Sequence, residues 1–347
     1  MSNLSDAQSE GEYLIPGFFV PHLERYVTEM GGDARALYAA ADLDRALFQP
    51  EEHTVSETQL HAIIANARAQ LDEPALGFEI GSRFSISSFG LLGRALMSCA
   101  SLQEVARMLE RYSVLVLPLI RFSTLEREQH SVVEVNALSR YPLLNQVMFE
   151  ALLACWDKIV GLLVGQDVFI DRLVCSFAAP DHVQRYSELG VGNVEFSGER
   201  NLVFLRREYA SLALSTANPI DALSTREACE KALIKSRQTR TLVEQVNDHL
   251  RYYLDTSPGS AEVAARLNMS ERTFRRKLAE EGTSYRQLLN AVRRDIAIYY
   301  LEQTQLQVAV IALKLGYQES SNFRAAFKTW TGVSPRAWRQ GSQSTEL

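Results

Sequence analysis

Between residues 261 and 340 the chain repeats one pattern, and that repeat leaves few folds open. The first copy is AEVAARLNMSERTFRRKLAEEGTSYRQL and the second is VAVIALKLGYQESSNFRAAFKTWTGVSPRAW. Ala264 and Leu267 correspond to Ala312 and Leu315, and Phe274 and Leu278 to Phe323 and Phe327. Gly282, Ser284 and Arg286 then match Gly332, Ser334 and Arg336. A polar break, Asn268-Met269-Ser270 in one copy and Gly316-Tyr317-Gln318-Glu319 in the other, separates the halves. A small residue and an apolar anchor three apart, a tight turn, then apolar residues four apart spell a helix-turn-helix.

The second helix of each copy carries the chemistry. Ser270 is placed to cap the first, because its hydroxyl can accept an orphan backbone N–H. Phe274 and Leu278 fall on its inward face. The opposite face carries Arg272, Arg275, Arg276 and Lys277, with Thr273 beside them. Cations neutralise phosphates, and arginine forks read guanine edges in the major groove. In the second copy Phe323 and Phe327 turn inward while Ser320, Ser321, Asn322, Arg324 and Lys328 face out. Serine and asparagine at a helix start suit adenine edges and phosphate oxygens. One charged helix face by itself usually means only solvation. Two in tandem on matched anchors favour double-stranded DNA as the partner.

These residues resemble the tandem helix-turn-helix domain of AraC/XylS-type transcription regulators. The most specific stretch is LGYQESSNFRAAFKTWTGVSPRAWR, Leu315 to Arg339. It is similar to that family's pattern of Leu-Gly-Phe, a variable turn, Phe-x-x-x-Phe-Lys, Thr-Gly and Ser-Pro-x-x-aromatic-Arg. Tyr317 stands where phenylalanine is commoner, and Ala325 where the family usually has arginine. The resemblance covers about 100 residues, 239–340, and implies sequence-specific DNA binding, activation more often than repression, and contact with RNA polymerase.

At 347 residues the chain is long enough for two domains, and a net charge of −6 argues at first against a nucleic-acid partner. The charge is unevenly spread. Residues 237–339 carry 16 Lys+Arg and 10 Asp+Glu, a net of +6. Residues 1–236 carry 20 basic and 31 acidic residues, a net of −11. A basic C-terminal module beside an acidic N-terminal one points to DNA binding by one end. Cys99, Cys155, Cys175 and Cys229 lie far apart beside apolar neighbours, which implies buried free thiols and no disulfide framework. The polar start, MSNLSDAQSEGEY, lacks a signal-peptide pattern, and Asp157 and Lys158 break the most apolar stretch. A cytoplasmic protein with no membrane segment is the expectation.

Residues 1–12 and 341–347 read as disordered tails, 13–210 as a sensing and dimerising domain, 211–238 as a linker helix, and 239–340 as the DNA module. Within the first domain, helical patterns cover Leu23–Met30, Asp33–Ala41 and Ser56–Leu71, and Ser101-Leu-Gln-Glu104 opens a helix toward Pro118. Phe122–Glu128 and Ser131–Leu138 read as a hairpin, and Leu143–Val164 as a long helix. Leu173–Phe177 reads as a strand, Asp181 as the cap of a short helix, and Val194–Phe196 with Asn201–Arg207 as a second hairpin. Asn218-Pro219 starts the linker helix. Ser284-Tyr-Arg-Gln287 opens a connector through Glu302, buried along Leu288, Val292, Ile296 and Tyr299. The whole is an α+β sensor (helices with an antiparallel sheet) followed by an all-α tandem helix-turn-helix domain. It does not resemble the all-β barrel of the arabinose regulator itself. Phe84 to Tyr112, Arg185-Tyr186 and Val194 to Phe204 resemble instead the ornithine- and arginine-regulator branch of the family. That branch implies a homodimer and a small-molecule effector; it suggests an amino acid, while the apolar N-terminal sequence equally allows a lipid-like or aromatic molecule, and the binding residues stay unassigned.

Enzyme signatures are missing. The six histidines never stand at ligand spacing, Gly190-Val-Gly192 lacks the third glycine of a dinucleotide loop, and no nucleophile elbow or P-loop occurs. Neither a cofactor nor a metal is expected. Phe84, Phe89, Tyr112, Trp156 and Phe177 are candidates for lining an effector pocket, although aromatics at helical spacing are more often core. Two readings stay open: an effector-controlled transcription regulator, and a DNA-tethered dimerisation or protein-interaction module without an effector.

Overall fold

The computed structural model describes residues 13–50, 52–165, 168–239, 241–303 and 306–343. The chain divides into two compact units, with the boundary between Gln238 and Thr239. Each has its own apolar core.

The N-terminal unit opens with strand β1 (Leu14–Pro16), helices α1 (Phe19–Glu29) and α2 (Ala34–Ala40), strand β2 (Thr54–Ser56), and helix α3 (Glu57–Leu71). Asp33 and Ser56 cap α2 and α3, as their positions ahead of the apolar periods suggest. Helices α4 (Leu76–Gly81), α5 (Gly90–Ser98) and α6 (Leu102–Tyr112) follow. Ser101 caps α6 by accepting the Glu104 N–H, but the Glu104 carboxylate reaches back to Ala100 N rather than to the cap itself. The helix stops at Tyr112 in a 3-10 turn, short of Pro118.

Strands β3 (Ile120–Glu126) and β4 (His130–Ala137) form the expected hairpin. Helix α7 (Pro142–Val164) comes next, then β5 (Ile170–Val174), α8 (Gln184–Glu188), β6 (Val194–Glu195), β7 (Leu202–Arg206) and α9 (Arg207–Ala210). The sheet order is β3-β4-β7-β5-β6. The structure departs from the sequence pattern at three places. Strand β5 lies three residues earlier than expected, because Ile170 and Leu173 occupy the core and the chain leaves the ladder after Val174. Asp181 does not cap α8, whose N-cap is Val183. β6 and β7 are not a hairpin: β7 enters between β4 and β5, and β6 pairs parallel to β5 on its far side. The Asn201 side chain anchors the crossing, accepting Ser176 N–H at 2.8 Å and donating to the Val135 carbonyl.

Helix α10 (Pro219–Thr239) starts at Asn218, whose Oδ1 accepts the N–H groups of Ile220 and Asp221. It packs on the N-terminal unit rather than standing apart. Cys229 and Leu233 join that unit's core, and Glu230 accepts hydrogen bonds from Arg111 and Tyr112 of α6.

The C-terminal unit is helical: α11 (Leu242–Tyr253), α12 (Ser260–Arg266), α13 (Glu271–Glu280), α14 (Tyr285–Gln303), α15 (Val308–Lys314), α16 (Ser320–Thr331) and α17 (Pro335–Gln343). α17 carries the fold three residues past the boundary expected at 340. The buried line of α14 is Leu288, Val292, Ala297 and Leu301, with Ile296 and Tyr299 only half-buried. A residue step of five between Val292 and Ala297 turns the stripe to meet a second set of helices.

A candidate nucleic-acid interface on two reading helices

The two repeats fold as matched pairs, α12 with α13 and α15 with α16. Phe274, Leu278, Phe323 and Phe327 are fully buried, as are Val263, Ala264, Ile311 and Ala312. Both turns need one left-handed residue, and it is Asn268 (φ 56) in the first and Gly316 (φ 74) in the second. At Gly316 a side chain would also meet the Leu254 carbonyl oxygen at 2.7 Å. The Ser270 hydroxyl accepts Thr273 N–H at 3.3 Å, so the cap of the first reading helix forms as the sequence indicates.

Arg272, Arg275, Arg276 and Lys277 are exposed on α13, opposite Phe274 and Leu278, and Thr273 is half-buried with its hydroxyl on Ser270. The cationic face is interleaved with glutamates. Arg275 pairs with Glu271 and Arg276 with Glu280, each one turn apart. The hydrogen bond from the Ser260 hydroxyl, together with Arg275, holds the Glu271 carboxyl below its usual range. Arg272 and Lys277 make no ion pair among the described residues. The spacing of four that creates both pairs was visible in the sequence.

On α16, Ser321, Asn322, Arg324 and Lys328 are exposed, and Ser320 is half-buried. The N-cap is Glu319, which makes no capping hydrogen bond. Its carboxylate instead accepts the Ser321 hydroxyl at 3.1 Å. A carboxylate there opposes a phosphate or an acceptor-bearing base edge, so this helix presents a weaker polar face than α13. Arg324 and Lys328 form no ion pair among the described residues.

Other residues of the diagnostic stretch are structural. Trp338 donates to Glu302 at 2.9 Å, and Arg339 donates to the carbonyls of Leu301 and Leu306 at 3.1 and 2.8 Å. Arg339 thereby satisfies backbone acceptors near the end of α14. The Glu281 carboxylate does the converse at the start of α11, accepting the N–H groups of Leu242 and Val243 at 3.0 Å each.

In the N-terminal unit, Arg185 and Tyr186 fasten α8 to its neighbours. Tyr186 donates to the fully buried Glu150 at 2.8 Å, and Arg185 reaches Glu79 at 2.6 Å. Phe84, Phe89, Tyr112 and Phe177 are buried, whereas Trp156 is half-buried and lines a cavity against α6. All four thiols are buried and free. Among the described residues no helix is long and apolar enough to cross a membrane, and no group of three His, Cys, Asp or Glu side chains could hold a metal ion.

Residues 31–214 match the family described as the arabinose-binding domain of AraC transcription regulator, N-terminal, and residues 263–341 match a helix-turn-helix domain family. The chain belongs to the AraC family of transcription regulators, and it is a DNA-binding protein of that class. It is 31% identical to the ornithine utilization regulator of Pseudomonas aeruginosa over 94% of this chain and 96% of that protein. It is 27% identical to the HTH-type transcriptional regulator VqsM of the same species, over 76% of this chain and 83% of that one. The crystal structure of transcriptional regulator CdpR from Pseudomonas aeruginosa is 24% identical, covers 93% of this chain and 98% of its own, and gives a TM-score of 0.45.

Proposed function

We propose that the protein is an effector-controlled transcription activator, working as a cytoplasmic homodimer that recruits RNA polymerase. In this reading α13 and α16 enter successive major grooves through Arg272, Thr273, Arg275, Arg276 and Lys277, and through Ser320, Ser321, Asn322, Arg324 and Lys328. The observation that carries it is the pair of solvent-facing cationic helices on matched buried anchors, in a module of net charge +6. Residues 13–210 bind a small molecule, and α10 passes its effect toward residue 239. The match to a ligand-binding domain family and the likeness to a regulator of ornithine utilization support this part.

Fluorescence anisotropy of the full chain on promoter DNA, across a range of salt, tests the DNA half. Each phosphate contact contributes a slope of about −0.9 in log affinity against log salt. A steep negative slope is expected, and a flat line overturns the reading. Effector control is tested by the same titration with candidate small molecules added. An affinity and promoter output indifferent to every one would leave only a dimerising tether.

A further inference from the structure

α6 lies across one face of the sheet and does not fill the space beneath it. Val105 and Leu109 of α6 form one wall of a cavity of about 220 Å³, with Phe122 and Leu205 on the sheet side. A buried water needs only about 10–15 Å³ on a comparable measure, so this space suits a molecule far larger than water. Two polar atoms of its lining residues are buried without a partner: the Trp156 Nε1–H and the Thr124 hydroxyl. Buried donors in folded proteins are almost always satisfied. Both atoms are closed off from solvent, so a ligand's acceptor reaches one only when its side chain turns toward the cavity. The charged lining residues, Arg107, Glu110 and Glu126, are solvent-exposed at the rim, and Glu126 accepts the Ser131 hydroxyl. Nothing inside would compensate a buried ligand charge.

We propose that this cavity is the effector's seat, and that it takes a compact, uncharged, mainly apolar molecule bearing a hydrogen-bond acceptor, such as an aromatic ketone, lactone or amide. The Trp156 ring turns toward the cavity so that its indole N–H meets the acceptor, and the apolar body packs between Val105, Leu109 and the sheet. The proposal rests on the effector-controlled reading above. It also supplies a route for the signal. Glu104, Arg111 and Tyr112 lie on the edge of α6 that faces α10. Glu230 accepts from Arg111 at 2.9 and 3.0 Å and from Tyr112 at 2.8 Å, and Glu104 pairs with Arg226. A ligand wedged against Val105 and Leu109 therefore moves the helix that holds α10, and α10 runs into the residue where the DNA unit begins.

Calorimetric titration of the full chain with acetophenone, ethylbenzene and L-ornithine tests the site, and anisotropy on promoter DNA tests its consequence. Acetophenone is expected to bind about tenfold more tightly than ethylbenzene, which has the same bulk and no acceptor. Trp156→Phe should erase that difference, Thr124→Val should leave the fold intact and weaken acetophenone, and Ala106→Phe should block both aromatic probes by filling the space. Acetophenone binding that ignores all three substitutions, or no binding by it at millimolar concentration, overturns the proposed site. L-ornithine binding that Ala106→Phe abolishes overturns the ligand class. Acetophenone binding that depends on Trp156, with DNA affinity unchanged, upholds the cavity and overturns effector control through it. Glu230→Gln distinguishes the route: it should leave acetophenone affinity alone and remove the DNA response, and a retained response overturns the α6-to-α10 coupling.

Discussion

The Arg293 guanidinium lies 4.4 Å from the centroid of the Tyr317 ring. It also donates to the Leu315 carbonyl at 2.9 Å and to the Ser257 hydroxyl at 2.8 Å. One side chain of the connector thus grips the turn that orients the second reading helix. Burial raises the Tyr317 phenol above its usual value, which keeps it neutral under the cation. Arg293→Ala should cost about 2 kcal/mol in thermal or denaturant unfolding of the DNA unit, from one cation–π contact and charge-assisted hydrogen bonds. Lysine should recover little of it, since a point charge cannot make the forked contact. Stability indifferent to Arg293→Ala would show that the grip is ornamental.

The glutamates between the arginines of α13 should limit DNA affinity. Removing Glu280 frees Arg276 and deletes a charge that repels phosphate. Glu280→Gln should raise affinity for specific and non-specific DNA alike and steepen the salt slope. Arg276→Ala should cost about 1–3 kcal/mol at the cognate site and relax preference at one or two base pairs. Ser321→Ala should cost less, because its hydroxyl already serves Glu319. A larger loss from Ser321→Ala than from Arg276→Ala would reverse the ranking of the two helices.

The connector sets a footprint. α14 has 19 residues, about 28 Å of helix. That length and its flanking turns can set two reading helices about 34 Å apart, one turn of duplex. Footprinting should show two protected major-groove segments per protomer, about 10 base pairs apart. A single segment would mean that one unit does not engage, and Ala325 and Glu319 make it the second.

The N-terminal unit should be intolerant at Gly81. A Cβ there would lie 2.3 Å from the Ala151 carbonyl oxygen of α7. Backbone must move to admit it, so Gly81→Ala should destabilise by roughly 1–3 kcal/mol. Gly161, with nothing within 4 Å, is the control. Equal stability of the two alanine variants would mean that α4 can shift away freely.

The thiols should be silent. Burial pushes Cys99 and Cys155 up to about 12 and raises Cys175 and Cys229 as well. At pH 8 a disulfide reagent should find no reactive thiol until denaturant is added, then all four. A group raised in the folded state contributes stability that is whole below its unfolded value. For Cys99 and Cys155 it is lost as pH climbs from 9.0 through about 12. Alanine at either position should flatten the alkaline limb of an unfolding curve. Rapid labelling of the native protein would contradict the burial.

What the sequence by itself determined is local. The repeat, its capping residues, its buried anchors at spacing four and the split of charge between the two ends can all be read without coordinates. Each depends on neighbours within one or two turns. The ion pairs on α13 belong to the same legible set, since Glu271 and Glu280 stand four residues from Arg275 and Arg276. The strand order, the parallel β5–β6 pair and the inclusion of α10 in the N-terminal unit were decided only by the tertiary structure. Strand alternation records which side chains are buried and is silent about which strand lies alongside. The Asn201 anchor that carries the chain across β5 joins residues 25 and 66 positions distant. Trp156 shows the same limit, because its sequence neighbours mark it as core. That its N–H is left without a partner, on a ring that borders an unfilled space, follows from how α6, α7 and the sheet pack, and packing voids have no period to read.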